Sequence, residues 1–110
     1  MKQMPESRGM VIGRNGNINA EFLVDGRGYN LELYVTSDLP DFNVSNAMLS
    51  YESPSDFQGH EILKPSSRVG EDNIDLILMA PSGDVHTITG RLEHPLPDKF
   101  RISGQGSWGK

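Results

Sequence analysis

The sequence predicts an all-β domain of about eight antiparallel strands, and three observations carry that prediction. Apolar residues recur with period two rather than 3.6: Ile18, Ala20, Phe22 and Val24 alternate with Asn19, Glu21, Leu23 and Asp25, as on strands with one buried face. The breaks between such runs are tight-turn chemistry. No window offers a sustained helical stripe with a cap. The length of 110 residues suits one domain with its own core.

Taken in order, the expected strands are 9–14, 17–25, 28–36, 43–52, 57–63, 73–80, 84–93 and 99–108. The first two are joined through Asn15-Gly16, a pair suited to a hairpin turn because both residues accept positive φ. Asp25-Gly26-Arg27-Gly28 is a second tight turn. It leads into Tyr29, Leu31, Leu33 and Val35, which alternate with Asn30, Glu32, Tyr34 and Thr36. The fourth strand is ambiguous in phase. Either Phe42, Val44 and Met48 point inward, or Ala47, Leu49 and Tyr51 do, and a bulge reconciles the two sets. In the fifth, Gly59, His60 and Glu61 spoil the alternation. Residues 64–72 read as the loosest and most mobile loop. The strand at 73–80 has Ile74, Leu76 and Leu78 on one face and Ile77 and Met79 on the other, so its outer side is central or meets a partner. Pro81-Ser82-Gly83-Asp84 is a third turn. The last strand alternates Phe100, Ile102, Gly104, Gly106 and Trp108 with polar residues, and its glycines suit a sharply bent barrel wall.

The two halves share a layout. Aligning Leu39-Pro40-Asp41 with Leu96-Pro97-Asp98 sets Tyr29 over His86, Leu31 over Ile88, Val35 over Leu92 and Tyr51 over Trp108. An internal duplication of 9–52 and 57–108 follows as one reading; a chance match of two equal-length meanders is the other. Residues 1–8 are polar, contain Pro5 and read as a flexible tail ahead of a single domain at 9–110. Eight strands with short sequential connections form either a closed barrel or a two-sheet sandwich. The meander with its Gly-rich, Trp-containing last strand favours the barrel, and its layout resembles that of small calycin-type barrels. That resemblance implies a fold and no function.

Composition excludes several classes. There is no cysteine, so disulfide frameworks, thiolate metal sites and thiol catalysis are absent. No apolar run is long enough to span a membrane, and the N-terminus lacks the apolar core of a signal peptide, which fits a cytoplasmic protein. The net charge of −5 argues against nucleic acid as a partner. His60, His86 and His94 stand in no metal-ligand spacing, the loop carboxylates fall short of a calcium set, and no cofactor or nucleophile motif is present.

Two functional readings remain, with a third behind them. The favoured one is a non-catalytic interaction or accessory domain, of the inhibitor, immunity-like or homo-oligomeric kind. It uses an acidic face, because residues 28–63 hold six acids and no Lys or Arg, together with the apolar outer strand face. Its candidate interface residues are Glu32, Glu52, Ile77 and Met79. The alternative is a barrel binding a small apolar molecule or lipid in an aromatic-lined cavity. Tyr29, Asn46, Met48, Tyr51, His86 and Trp108 are its candidate ligand residues, against the reading that the aromatics simply fill a core. The third is a barrel isomerase or cyclase using His86 or a carboxylate in a cleft.

Overall fold

The computed structural model describes residues 6–35, 39–51, 59–81 and 83–109; residues 1–5, 36–38, 52–58, 82 and 110 lie outside that description. The described residues form strands and no helix. The strands are β1 (Glu6–Arg14), β2 (Asn17–Val24), β3 (Arg27–Val35), β4 (Phe42–Ser50), β5 (Gly59–Leu63), β6 (Arg68–Val69), β7 (Asn73–Met79), β8 (Val85–Arg91), β9 (Phe100–Arg101) and β10 (Gly104–Gly109). Eight of them close into an antiparallel barrel, and β6 and β9 lie outside the ring. β1 starts at Glu6, so residues 6–8 pair with Ser50, Leu49 and Met48 rather than belonging to a tail.

The ring order is β3-β2-β1-β4-β8-β7-β5-β10, with β10 returning to β3. The chain is therefore a meander only in parts. After β3 it crosses back to lay β4 on the free side of β1, and after β8 it crosses back to lay β10 on β5. The first half reads 3-2-1-4 and the second reads 8-7-5-10, so both halves follow one pairing scheme. Two seams, β4–β8 and β10–β3, join them.

Local chemistry explains the details. Asn15 and Gly16 have φ of 52° and 79°, and Asp25 and Gly26 repeat those values. Both hairpins thus turn through two left-handed residues, which matches the twist of the flanking strands. In β4 the pairing with β1 shifts between Gly9 and Val11, so Ser45 and Asn46 together oppose Met10. This bulge lets Phe42 and Val44 on one side of it, and Ala47, Leu49 and Tyr51 on the other, all face inward. In β10 a methyl group on Gly106 would run into the Glu32 carbonyl of β3. Glycine is there because the two backbones approach closely.

The segment expected to be loosest is pinned. Ser67 is fully buried, and its Oγ accepts the Ile77 N–H at 2.9 Å, standing in for a strand partner where β5 breaks before β6. Leu92 and Leu96 N–H groups donate to the Asp72 and Glu71 carbonyls at 2.7 and 2.8 Å. These bonds hold the 92–96 loop against the lower end of the barrel, where Leu39, Leu96 and Phe100 pack on the core.

Candidate functional site

The barrel's two ends differ in what points inward. At the end bounded by the 15–16 turn and the 92–96 loop, the inward side chains are apolar: Ile18, Leu33, Phe42, Ile74, Leu92 and Ile102. At the other end, bounded by the 25–26 turn, the 80–84 connection and the close of β10, stand Ser7, Tyr29, Tyr51, Glu61, His86 and Trp108. All six are buried. Apart from Ser67 in the turn before β6, every buried polar or charged residue among those described sits at this end.

Strand polarity places them. Ser7 is the second residue of β1, Tyr29 is near the start of β3, and His86 is the second residue of β8. Trp108 is near the end of β10, where it pairs with Leu31 on one side and Gly59 on the other. Tyr51 directly follows β4, whose Ser50 pairs with Thr87, so it falls at the register position of His86. Glu61 shares the inward phase of Leu63 and lies across from Gly106.

Glu61 is the centre of the arrangement. Its Oε1 accepts the Trp108 Nε1–H at 2.8 Å and lies 3.1 Å from His86 Nε2. Glu61 and His86 are both 0% exposed, while Tyr29, Tyr51 and Trp108 retain 4–7%. The carboxylate–imidazole pair is thus fully enclosed, and the three aromatic residues are marginally less so. Glu61 Oε2 is buried and has no hydrogen-bond partner. A buried carboxylate oxygen without a donor is costly, so such atoms usually mark something beyond packing.

The alignment of the two halves also organises this layer. It equates Tyr29 with His86 and Tyr51 with Trp108. The pairings Ser7–Leu49 and Glu61–Gly106 extend it, equating Ser7 with Glu61. Three equivalent positions from each half therefore build the layer, and the second half supplies both its carboxyl group and its imidazole.

Four of the residues expected around a ligand, Tyr29, Tyr51, His86 and Trp108, come together here. Asn46 and Met48 do not. The bulge turns Asn46 outward, where its Oδ1 accepts from Arg8 Nη1 at 2.9 Å beside an open groove with Met10 and Leu23. Met48 is half-buried on the outer side of β4, paired with Arg8 and Thr89. The aromatic residues belong to one packed cluster with the aliphatic core.

Sequence reasoning missed Glu61. The signal was present: a carboxylate two residues before Leu63 occupies an inward position, and it was counted instead among surface acids. His86, by contrast, stands among the expected ligand residues, and only its pairing with Glu61 goes beyond that expectation.

Of the expected interface residues, Glu32 is exposed on the outer wall of β3 and Glu52 lies outside the described residues. Ile77 and Met79 are half-buried on the outer wall of β7. Met79 stands in register between Ile62 of β5 and Val85 of β8, both partly exposed. The acids of residues 28–63 do not share a face among those described. Glu32 is on the wall and Glu61 is inside. Asp41 is at the apolar end, with its Oδ1 accepting the Asn15 N–H at 3.3 Å. No group of three or more His, Asp or Glu among the described residues is placed to hold a metal ion. Neither protein-family models, nor curated proteins, nor solved structures give a match to this chain.

Proposed function

We propose that this protein is a small-molecule-binding barrel whose site is the layer of Ser7, Tyr29, Tyr51, Glu61, His86 and Trp108. The observation that carries the reading is Glu61: a carboxylate at 0% exposure, tied through one oxygen to Trp108 and His86, with its other oxygen unpartnered. An eight-stranded barrel has an interior that side chains fill or that holds one small ligand. A purely structural core would be more stable with apolar residues here, because burying a charge costs several kcal/mol per ion before pairing repays it. Among the described residues, gathering the inward polar groups other than Ser67 at one end, together with aromatic rings, is the usual make-up of a ligand site.

Native mass spectrometry of freshly purified protein tests the reading. A small mass that leaves on collisional activation is expected, and its absence from a Glu61→Leu variant would place it at this layer. A bare chain that also takes up nothing from a small-molecule library overturns the proposal. Chemical conversion of a bound molecule would make the barrel an enzyme, with Glu61 and His86 as its acid–base pair.

A second reading draws on the outer wall. Ile62, Met79 and Val85 stand side by side on β5, β7 and β8, with Ile77 next along β7. Such a row suits contact with another protein or a second copy of the chain. The same mass spectra test it: an oligomer that Met79→Glu returns to monomer supports it, and an unmixed monomer counts against self-association.

A further inference from the structure

We infer that the ligand of this layer is a small organic ammonium ion, a primary amine on an apolar body. The inference rests on the binding reading above and specifies its chemistry. Three observations select a cation.

The first is the acceptor. Glu61 Oε2 is a buried carboxylate oxygen with no donor, although Oε1 is already engaged by Trp108 and lies beside His86. An ammonium group brings both a hydrogen-bond donor and a positive charge to that oxygen, and charge-assisted bonds are the stronger kind. The second is that His86, the basic group beside this carboxylate among the described residues, meets Oε1 and leaves Oε2 without a donor. Among the described residues every Lys and Arg is exposed or half-buried, so no fixed lysine or guanidinium charge reaches the barrel interior. The third is the ring set. Tyr29, Tyr51 and Trp108 stand at the same end, slightly nearer solvent than the carboxylate. Electron-rich faces attract a cation, and most strongly where water is excluded.

The body of the ligand follows from the neighbours. Phe22 pairs with Tyr29 and Leu78 with His86, so the layer passes directly into apolar wall. A neutral alcohol would satisfy Oε2 but use neither its charge nor the rings. A carboxylate would be repelled by Glu61.

The test uses three probes with one body: 2-phenylethylamine, 2-phenylethanol and phenylacetate. Binding is read by calorimetry and by the fluorescence of Trp108, the sole tryptophan. The amine is expected to bind at least roughly 10-fold tighter than the alcohol, with no saturable response to the acid. In Glu61→Gln, which keeps an acceptor for the Trp108 N–H, amine binding should weaken by roughly 10- to 100-fold and approach that of the alcohol. Where that variant fails to fold, the ranking of the three probes on the unaltered protein decides alone.

Binding of the alcohol or the acid as tightly as the amine overturns the ligand class and leaves the binding reading standing. Amine binding that is silent in Trp108 fluorescence and unchanged in Glu61→Gln lies elsewhere and overturns it too. A ligand retained from expression supports the inference if it carries a basic nitrogen and overturns it otherwise. If no probe binds and nothing is retained, both readings fall.

Discussion

The two ends of the barrel are built from the same strands, yet they solve different problems. At the end near Leu33, Phe42 and Ile74, the inward residues are apolar, and the 92–96 loop is hydrogen-bonded to Asn43, Glu71 and Asp72. At the end near Tyr51, Glu61 and His86, the inward residues are polar or aromatic. The first arrangement is what hydrophobic burial alone selects. The second spends stability on groups that need partners, and proteins commonly depart from the apolar rule where they act. Under the binding proposal, the contrast places stability at one end and recognition at the other.

The sharpest way to break this comparison is to damage the apolar end. Leu33→Ala removes a fully buried side chain and should cost about 2–5 kcal/mol in urea denaturation. It should leave the Trp108 fluorescence response to ligand intact in the folded fraction. Loss of ligand response at equal foldedness would show that the ends are not separable.

Next in size is the double replacement Glu61→Leu with His86→Met. Exchanging a buried polar pair for apolar side chains of similar size is often neutral or stabilising, by about 1–4 kcal/mol where the pair is ionic. The double variant is therefore expected to match or exceed the parent in urea midpoint and to bind no ligand. A strongly destabilised double variant would mean that the pair is structural, and the contrast between ends would lose its functional meaning. Glu61→Leu alone should be worse than the double variant, because it leaves the buried His86 imidazole facing an apolar side chain, while both variants alike take the carboxylate from the Trp108 N–H.

The turns provide an internal control. Gly16 closes the hairpin at the apolar end and Gly26 the one at the polar end, both at φ 79° and both with open space where a methyl would go. Gly16→Ala and Gly26→Ala should each cost about 1 kcal/mol, for the left-handed backbone alone. Unequal costs in thermal denaturation would reveal a role for one turn beyond its geometry.

The smallest effect belongs to the outer wall. Met79→Lys on β7 should change stability by no more than about 0.5 kcal/mol. A shift in sedimentation from oligomer to monomer without loss of structure would move functional weight from the barrel's end to its side.

Much of this architecture was legible in the chain because alternation and turn chemistry are local. The Asn15-Gly16 and Asp25-Gly26 turns, the bulge implied by two clashing phases in residues 42–51, and the inward Tyr29, Tyr51 and Trp108 all follow from residues close in sequence. The ring order did not, since nothing near β4 says that it returns to β1 rather than continuing the meander. Glu61 was hidden for a related reason. A carboxylate is read as solvated until its partners are known, and here they lie 25 and 47 residues away. Residues 64–72 carry loop composition, yet Ser67 is buried through a bond to Ile77 that the segment's own sequence does not announce.

The place of β10 in the ring also bears on how the chain is made. Gly104–Gly109 is the strand that joins β3 to β5, and it is made after both, so these two edges stay uncovered until β10 arrives. Until then β3 offers an unpaired edge with Tyr34 exposed on its outer face, the kind of edge on which chains associate wrongly. Glycine at 104 and 106 lets β10 fit closely but gives it weak intrinsic strand preference, so it docks on a surface that is already formed. Closure is then a late, long-range step, slow in the manner of non-local β pairings. Correct folding should then depend more on the docking of β10 than on the strength of the finished core.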